Sequence, residues 1–302
     1  MKIHAQPRPL HEPLAGGTRG ASVIVEPLIA GRVHWPPELM ERPGGRFETL
    51  RLLRKLLAGS DYAVPCPAFL IRHPSAGAIL VDTGLHPSIA TDPRENFGAL
   101  GARFATPELT PGEDVPAQLR ERGLAPAEVP VLVMTHLHYD HASAVSEFPQ
   151  STIVLSEPEW LAATTDRRPA LRGYRPAHYD YAFDYRTIDF TRGGIASYAT
   201  FGRTFDLFDD GSVRLAYTPG HSAGHLSVIA HLAERDFVIG GDVIYTERQL
   251  EEGAALPPRP VDEHQYRRTL QELRLFRREF PQVVITPGRD PDFYARVDSR
   301  YE

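Results

Sequence analysis

The chain has 302 residues, 42% of them apolar and 24% charged, a globular rather than a disordered composition. A formal net charge of −6 supplies no bulk field for nucleic acid or an anionic membrane, and a single cysteine, Cys66, excludes a disulfide framework and a thiolate zinc knuckle. No window approaches the ~20 apolar residues that cross a bilayer, so the expectation is a cytoplasmic protein with neither nucleic acid nor membrane as partner.

Residues 1–20, rich in Pro, Gly and His, read as a flexible N-terminal arm, and residues 21–302 as a single domain. A strand-like run covers 22–28. Apolar spacing over 47–57 predicts a helix stopped by Gly59. Strands at 68–72 and 78–82, joined by a Pro-Ser-Ala-Gly turn, predict a hairpin. A helix follows over 114–123, then a buried strand over 129–134, a strand over 151–155 and a helix opening at 158–163. The stretch around 165–210 is less regular and aromatic-rich, with Tyr174, Tyr179, Tyr181, Phe183, Tyr185, Phe190 and Tyr198, and reads as an insertion in the domain. Strands over 213–217, 237–241 and 283–286 and a helix over 264–278 complete the chain.

The strand over 129–134 runs into Thr135-His136-Leu137-His138-Tyr139-Asp140-His141. Imidazole and carboxylate suit zinc, iron or manganese. On a continuous strand His141 would face away from the other three, so a metal site here requires the chain to turn. Two more residues share this setting: His221 follows a strand and a Pro-Gly turn, and Asp242 follows an apolar strand and Gly240-Gly241. Singly they read as capping residues. With the 136–141 cluster they read as a metal site gathered at strand ends.

His136-Leu-His138-Tyr-Asp140-His141, with Thr218-Pro-Gly-His221, Gly241-Asp242 and the earlier Asp82-Thr83-Gly84, resembles the metallo-β-lactamase-fold hydrolases over roughly residues 68–290. Asp242-Val-Ile-Tyr245 and Thr218-Pro-Gly-His221-Ser-Ala-Gly-His225 are similar to the N-acyl-homoserine lactonase-like branch. The resemblance implies an α/β, four-layer αββα sandwich, two mixed β-sheets with helices on the outer faces. It implies a metal-dependent hydrolase that uses a metal-bound hydroxide on a lactone or other carboxylic ester. One or two zinc ions are implied, with iron or manganese as alternatives. His136, His138 and His221 would hold the first, Asp140 and His141 the second, with Asp242 bridging. Asp140 would carry a proton from water to leaving group. Tyr245 would either donate its hydroxyl to the substrate or be a packed aromatic. Asp82 would orient a ligand histidine. His225 would do the same or be a buried, hydrogen-bonded histidine. His178, in the insertion, is a candidate pocket residue. A homodimer is an expectation from resemblance alone.

One position departs from the family: its last ligand is the histidine of a Gly-His-Asp turn, and this chain has Gly288-Arg289-Asp290. Arginine offers no lone pair and cannot replace a histidine ligand. Arg289 would turn outward, or occupy the second site as a charge paired with Asp140 or Asp242, or leave Asp290 or His264 to complete the shell. The alternatives to a lactonase are another hydrolase of the same fold, of arylesterase or phosphotriesterase type, and a degenerate member without catalysis.

Overall fold

A computed structural model describes residues 3–42, 46–257 and 260–302. Residues 1–2 of the expected arm lie outside this description, as do 43–45 and 258–259 of the expected domain. In chain order the elements are β1 (Arg8–Pro9), β2 (Ile24–His34), α1 (Glu48–Ala58), β3 (Ala63–His73), β4 (Gly77–Val81), α2 (Pro93–Ala105), β5 (Pro107–Glu108), α3 (Val115–Glu121), β6 (Val131–Val133), α4 (Tyr139–Ala142) and β7 (Thr152–Ser156). Then follow α5 (Glu157–Thr165), β8 (Asp184–Ile188), β9 (Ile195–Tyr198), β10 (Phe201–Asp206), β11 (Val213–Tyr217), β12 (Leu226–His231), β13 (Asp236–Ile239), α6 (Glu263–Glu279), β14 (Val284–Thr286) and α7 (Pro291–Tyr294).

Two mixed sheets result, in the orders β1-β8-β7-β6-β4-β3-β2-β5 and β14-β13-β12-β11-β10-β9. Alternation along the strands divides the core into layers. Phe69 and Ile71 of β3, with Val131 and Val133 of β6, point toward Leu215, Val228 and Phe237 of the second sheet. Ala68, Leu70 and Leu132, on the opposite face, pack under Val115 and Leu119 of α3 and Trp160 of α5. On the far side of the second sheet, Ile229, Val238 and Ile285 meet Tyr266, Leu270, Leu273 and Phe276 of α6. The layer order is helix, sheet, sheet, helix, as the resemblance implies. Among the described residues no helix is long and apolar enough to cross a membrane.

Prolines 65 and 67 sit within β3, an interior strand, where proline is normally excluded because it cannot donate to the ladder. Here β4 pairs only with residues 69–73 of β3, so the stretch carrying both prolines has one neighbour, β2. β2 accommodates it with a bulge around Gly31, at φ +86°.

The N-terminal residues differ from the loose arm expected of them. Arg8–Pro9 pair in parallel with β8, Leu10 is buried between the sheets, and Asp180 Oδ1 accepts the backbone N–H groups of His4 and Ala5. The aromatic stretch expected as an insertion supplies β8 to the first sheet and β9 and β10 to the second.

Candidate metal centre

β4, β6, β11, β13 and β14 deliver their carboxyl ends to one rim of the sandwich, where both sheets end. The chain turns at His138, the N-cap of the single-turn helix α4, which places Asp140 and His141 on the first turn beside His136. His136, Asp140, His141, Asp242 and Arg289 are buried, and His138 and His221 are partly so.

Asp82 organises the histidines. Its Oδ1 accepts the Thr135 N–H at 2.8 Å, and its Oδ2 accepts the Thr135 hydroxyl at 2.7 Å and His141 Nδ1–H at 2.8 Å. The Thr135 hydroxyl has given away its proton, so at 3.0 Å it accepts from His136 Nδ1–H. His136 Nε2 is thereby left bare, and it is buried with no hydrogen-bond partner. Asp82 holds φ +58°, a left-handed conformation that Asp tolerates better than most residues.

His138 Nδ1 and His221 Nε2 lie 3.0 Å apart, and one ring nitrogen from each of His136, His138 and His221 falls within 4.8 Å of the others. A tetrahedral cation with bonds of about 2.05 Å sets its nitrogens about 3.3 Å apart. Burial, the largest influence, with neighbouring imidazoles adding to it, pushes the His136 and His221 pKa values well below the usual histidine range and His138 to about 4. His136 Nε2 offers an unpartnered lone pair, His138 Nδ1 and His221 Nε2 share one proton that a cation would displace, and three such imidazoles converging on one point fit a divalent cation. Asp242 Oδ2 stands 3.5 Å from His221 Nε2 and 3.9 Å from His136 Nε2, close enough to complete this donor set.

The second expected position is filled by protein. Arg289 points inward and is completely buried. Its Nη2 and Nε donate to Asp242 Oδ2 at 2.7 and 3.1 Å, and Nη2 lies 2.7 Å from His141 Nε2. Nη2 also forms an ion pair with Asp140 Oδ2 at 2.5 Å, outside hydrogen-bond alignment. A guanidinium N–H cannot face another N–H, so His141 is neutral here, with Nδ1–H on Asp82 and Nε2 accepting from Arg289. Burial opposes a charge on His141 while Asp242 and Asp82 favour one and would lift its pKa to about 10; we assign the neutral form because the 2.7 Å contact requires it. A dication about 4 Å from a guanidinium meets roughly 8 kcal/mol of repulsion at an effective dielectric of about 20. A second triad, His136, His141 and Asp242, also gathers within 4.8 Å, but Arg289 engages two of its members. These residues do not fit a second cation. Asp290 instead caps α7 through the Phe293 N–H and accepts the Glu247 N–H, and His264 is exposed on α6.

The other candidates resolve as follows. Tyr245 Oη lies 3.4 Å from His221 Nδ1. His225 Nε2 accepts the Asp242 N–H at 3.0 Å and Nδ1 bonds the Thr218 hydroxyl at 2.9 Å, so it orders the 242 turn and offers no lone pair to an ion. Gly241, at φ +58°, lets that turn pass: a Cβ there would meet His225 Nε2 at 2.6 Å. His178 is buried and donates to the Asn96 carbonyl at 3.0 Å, a packing role rather than a pocket one. From the aromatic stretch, Tyr174 reaches the site, its ring 5.0 Å from that of His138.

Glu159 is a site-supporting residue that sequence reasoning missed. Fully buried on α5, it accepts the Leu137 N–H at 3.0 Å, the Ser222 hydroxyl at 2.6 Å and the Gly224 N–H at 3.1 Å, joining the His136–His138 segment to the His221 loop. Burial raises its pKa and these hydrogen bonds oppose the rise. Its signal was Ser156-Glu157-Pro158-Glu159, a capping-box pattern in which Ser156 does cap the Glu159 N–H while the glutamate side chain turns to the site.

The model of the metallo-beta-lactamase superfamily matches residues 61–285. The N-acyl homoserine lactonase AttM of Agrobacterium fabrum is 32% identical over 238 residues, 78% of this chain and 86% of that protein. AiiB, an N-acyl homoserine lactonase of the same organism, is 27% identical over 250 residues, 78% of this chain and 82% of that protein. Among solved structures, a B. thuringiensis AiiA mutant with N-decanoyl-L-homoserine bound at its active site superposes with TM-score 0.71 at 19% identity, covering 94% of this chain and 98% of that one.

Proposed function

Because the chain belongs to the metallo-β-lactamase superfamily, we propose that it is a metal-dependent hydrolase that opens an N-acyl homoserine lactone or a closely related carboxylic ester. The convergence of neutral His136, His138 and His221 on one point carries this reading, and the 32% identity to AttM supports a lactone as the substrate class. Zinc suits an imidazole donor set of this kind.

His136, His138 and His221, with Asp242 beside them, would hold the cation, which when bound would provide Lewis acidity and lower the pKa of a water. The chain's own groups do the rest. Asp82, through Thr135, and Glu159, through Leu137, Ser222 and Gly224, hold the imidazoles at fixed angles. Asp140 is the carboxylate that carries the proton to the leaving alkoxide. Tyr245 accepts from His221 Nδ1–H, which leaves its own hydroxyl proton to meet a substrate oxygen.

The test is acid release on lactone opening, followed in a pH-stat with a panel of acyl homoserine lactones, aryl esters and a phosphotriester. Turnover of lactones, lost in chelator, restored by zinc and abolished in His136→Ala, is expected. Turnover confined to aryl esters or the phosphotriester would move the assignment to another hydrolase of this fold. No turnover of any compound by zinc-loaded protein would overturn it.

A further inference from the structure

We propose that this chain holds a single divalent cation, on His136, His138 and His221, and that the Arg289 guanidinium is a permanent, genetically encoded replacement for a second one. The inference rests on the reading of the triad as a metal site and concerns how many ions that site admits.

Three features make Arg289 resident. Its one side chain engages the atoms a second ion would need: Asp140 Oδ2, His141 Nε2 and Asp242 Oδ2, all at 2.5–2.7 Å from Nη2. Its backbone is pinned, with Arg289 N–H on the Tyr245 carbonyl at 2.9 Å and Gly288 N–H on the Ile244 carbonyl at 2.7 Å. Gly288 is needed for that approach, since a Cβ there would come within 2.4 Å of Asp242 Oδ1. The Trp35 ring covers the guanidinium carbon at 5.0 Å. Swinging Arg289 aside would leave Asp140 and Asp242 buried without their charge partner, which strongly disfavours the outward rotamer. The donor chemistry agrees: guanidinium has no lone pair, so no shift of this side chain turns it into a ligand.

The experiment counts metal rather than turnover. Protein purified without chelator is equilibrated with excess zinc, freed of unbound ion and measured for zinc per chain. The native chain is expected to hold one zinc, His138→Ala to lose it, and Arg289→His to hold two. Two zinc ions in the native chain, or none, would overturn the proposal, as would a folded Arg289→His that stays at one. Should Arg289→His not fold, a cobalt titration of the native chain decides alone: visible absorption saturating at one equivalent supports the proposal, and at two equivalents overturns it. Acid release is measured on the same preparations. One metal without lactone turnover refutes only the proposed function, and turnover with two metals refutes only this inference.

Discussion

Asp82→Asn isolates the role of the carboxylate behind the histidines. The variant keeps size and shape, and Asn tolerates φ +58° as well as Asp does. What changes is acceptor count, because three donors converge on the two Asp82 oxygens. If the amide oxygen takes the Oδ2 position, its NH2 opposes the Thr135 N–H. If it takes the Oδ1 position, the NH2 opposes His141 Nδ1–H and drives that proton to Nε2, against Arg289 at 2.7 Å. Either way a buried donor loses a charged acceptor, a cost of about 2–4 kcal/mol. With an unfolding entropy of about 2.1 cal/mol/K per residue over 302 residues, this lowers the melting temperature by about 3–6 °C. Loss of a hydrogen bond behind a metal ligand weakens the metal about 10- to 100-fold. Calorimetry of metal-free protein reads the first effect, and zinc competition against a chromophoric chelator reads the second. Thr135→Val cuts only the arm to His136, so it should weaken zinc with a smaller change in melting. An Asp82→Asn protein that melts and binds zinc as the native chain does would refute the relay.

Two further outcomes test separate parts of the molecule. Tyr245→Phe removes the hydroxyl 3.4 Å from His221 Nδ1 and should lower kcat about tenfold, roughly 1.4 kcal/mol of transition-state stabilisation, with zinc content unchanged; unchanged kcat would make Tyr245 a packed aromatic only. His178 is held by burial at a pKa of about 3 against about 6.5 in the unfolded chain, so unfolding takes up a proton between those values. Its contribution to stability is intact above pH 6.5 and erodes as pH falls, by about 2 kcal/mol at pH 5. In urea denaturation at pH 7 and 5, the native chain should lose that much more than His178→Gln, and equal losses would refute the assignment.

The part of the site legible in the sequence is the part built at strand ends. His136, His138, Asp140 and His141 are contiguous, and His221 and Asp242 each follow an apolar strand, so the same signal repeats where both sheets stop. Arg289 was recognisable as a departure, but its direction depends on Trp35 and the two carboxylates, which come from distant segments. Glu159 was hidden because its local pattern has an ordinary explanation as a helix start. In the fold, the hydrophobic strands were legible and their limits were not. β3 runs through two prolines because its partner on one side ends early, a fact of pairing that no local propensity carries. The strands of the aromatic stretch were likewise obscured, since β8 and β10 mix buried with more exposed positions and β9 has no buried residue, so none carries a long apolar run.

The two-residue strand β1 does more than tether the amino terminus. It covers β8, which would otherwise present a row of free amides and carbonyls to other molecules, and it does so with Pro9, which has no N–H to offer outward. Arg8 adds a charge there through Asp184. Trimming the chain past Leu10, a common step when an expression fragment is shortened, would uncover that ladder together with the apolar surface beneath Leu10. The shortened protein would keep every residue of the metal centre and still be prone to edge-to-edge association, so poor solubility of such a fragment would say nothing about its chemistry.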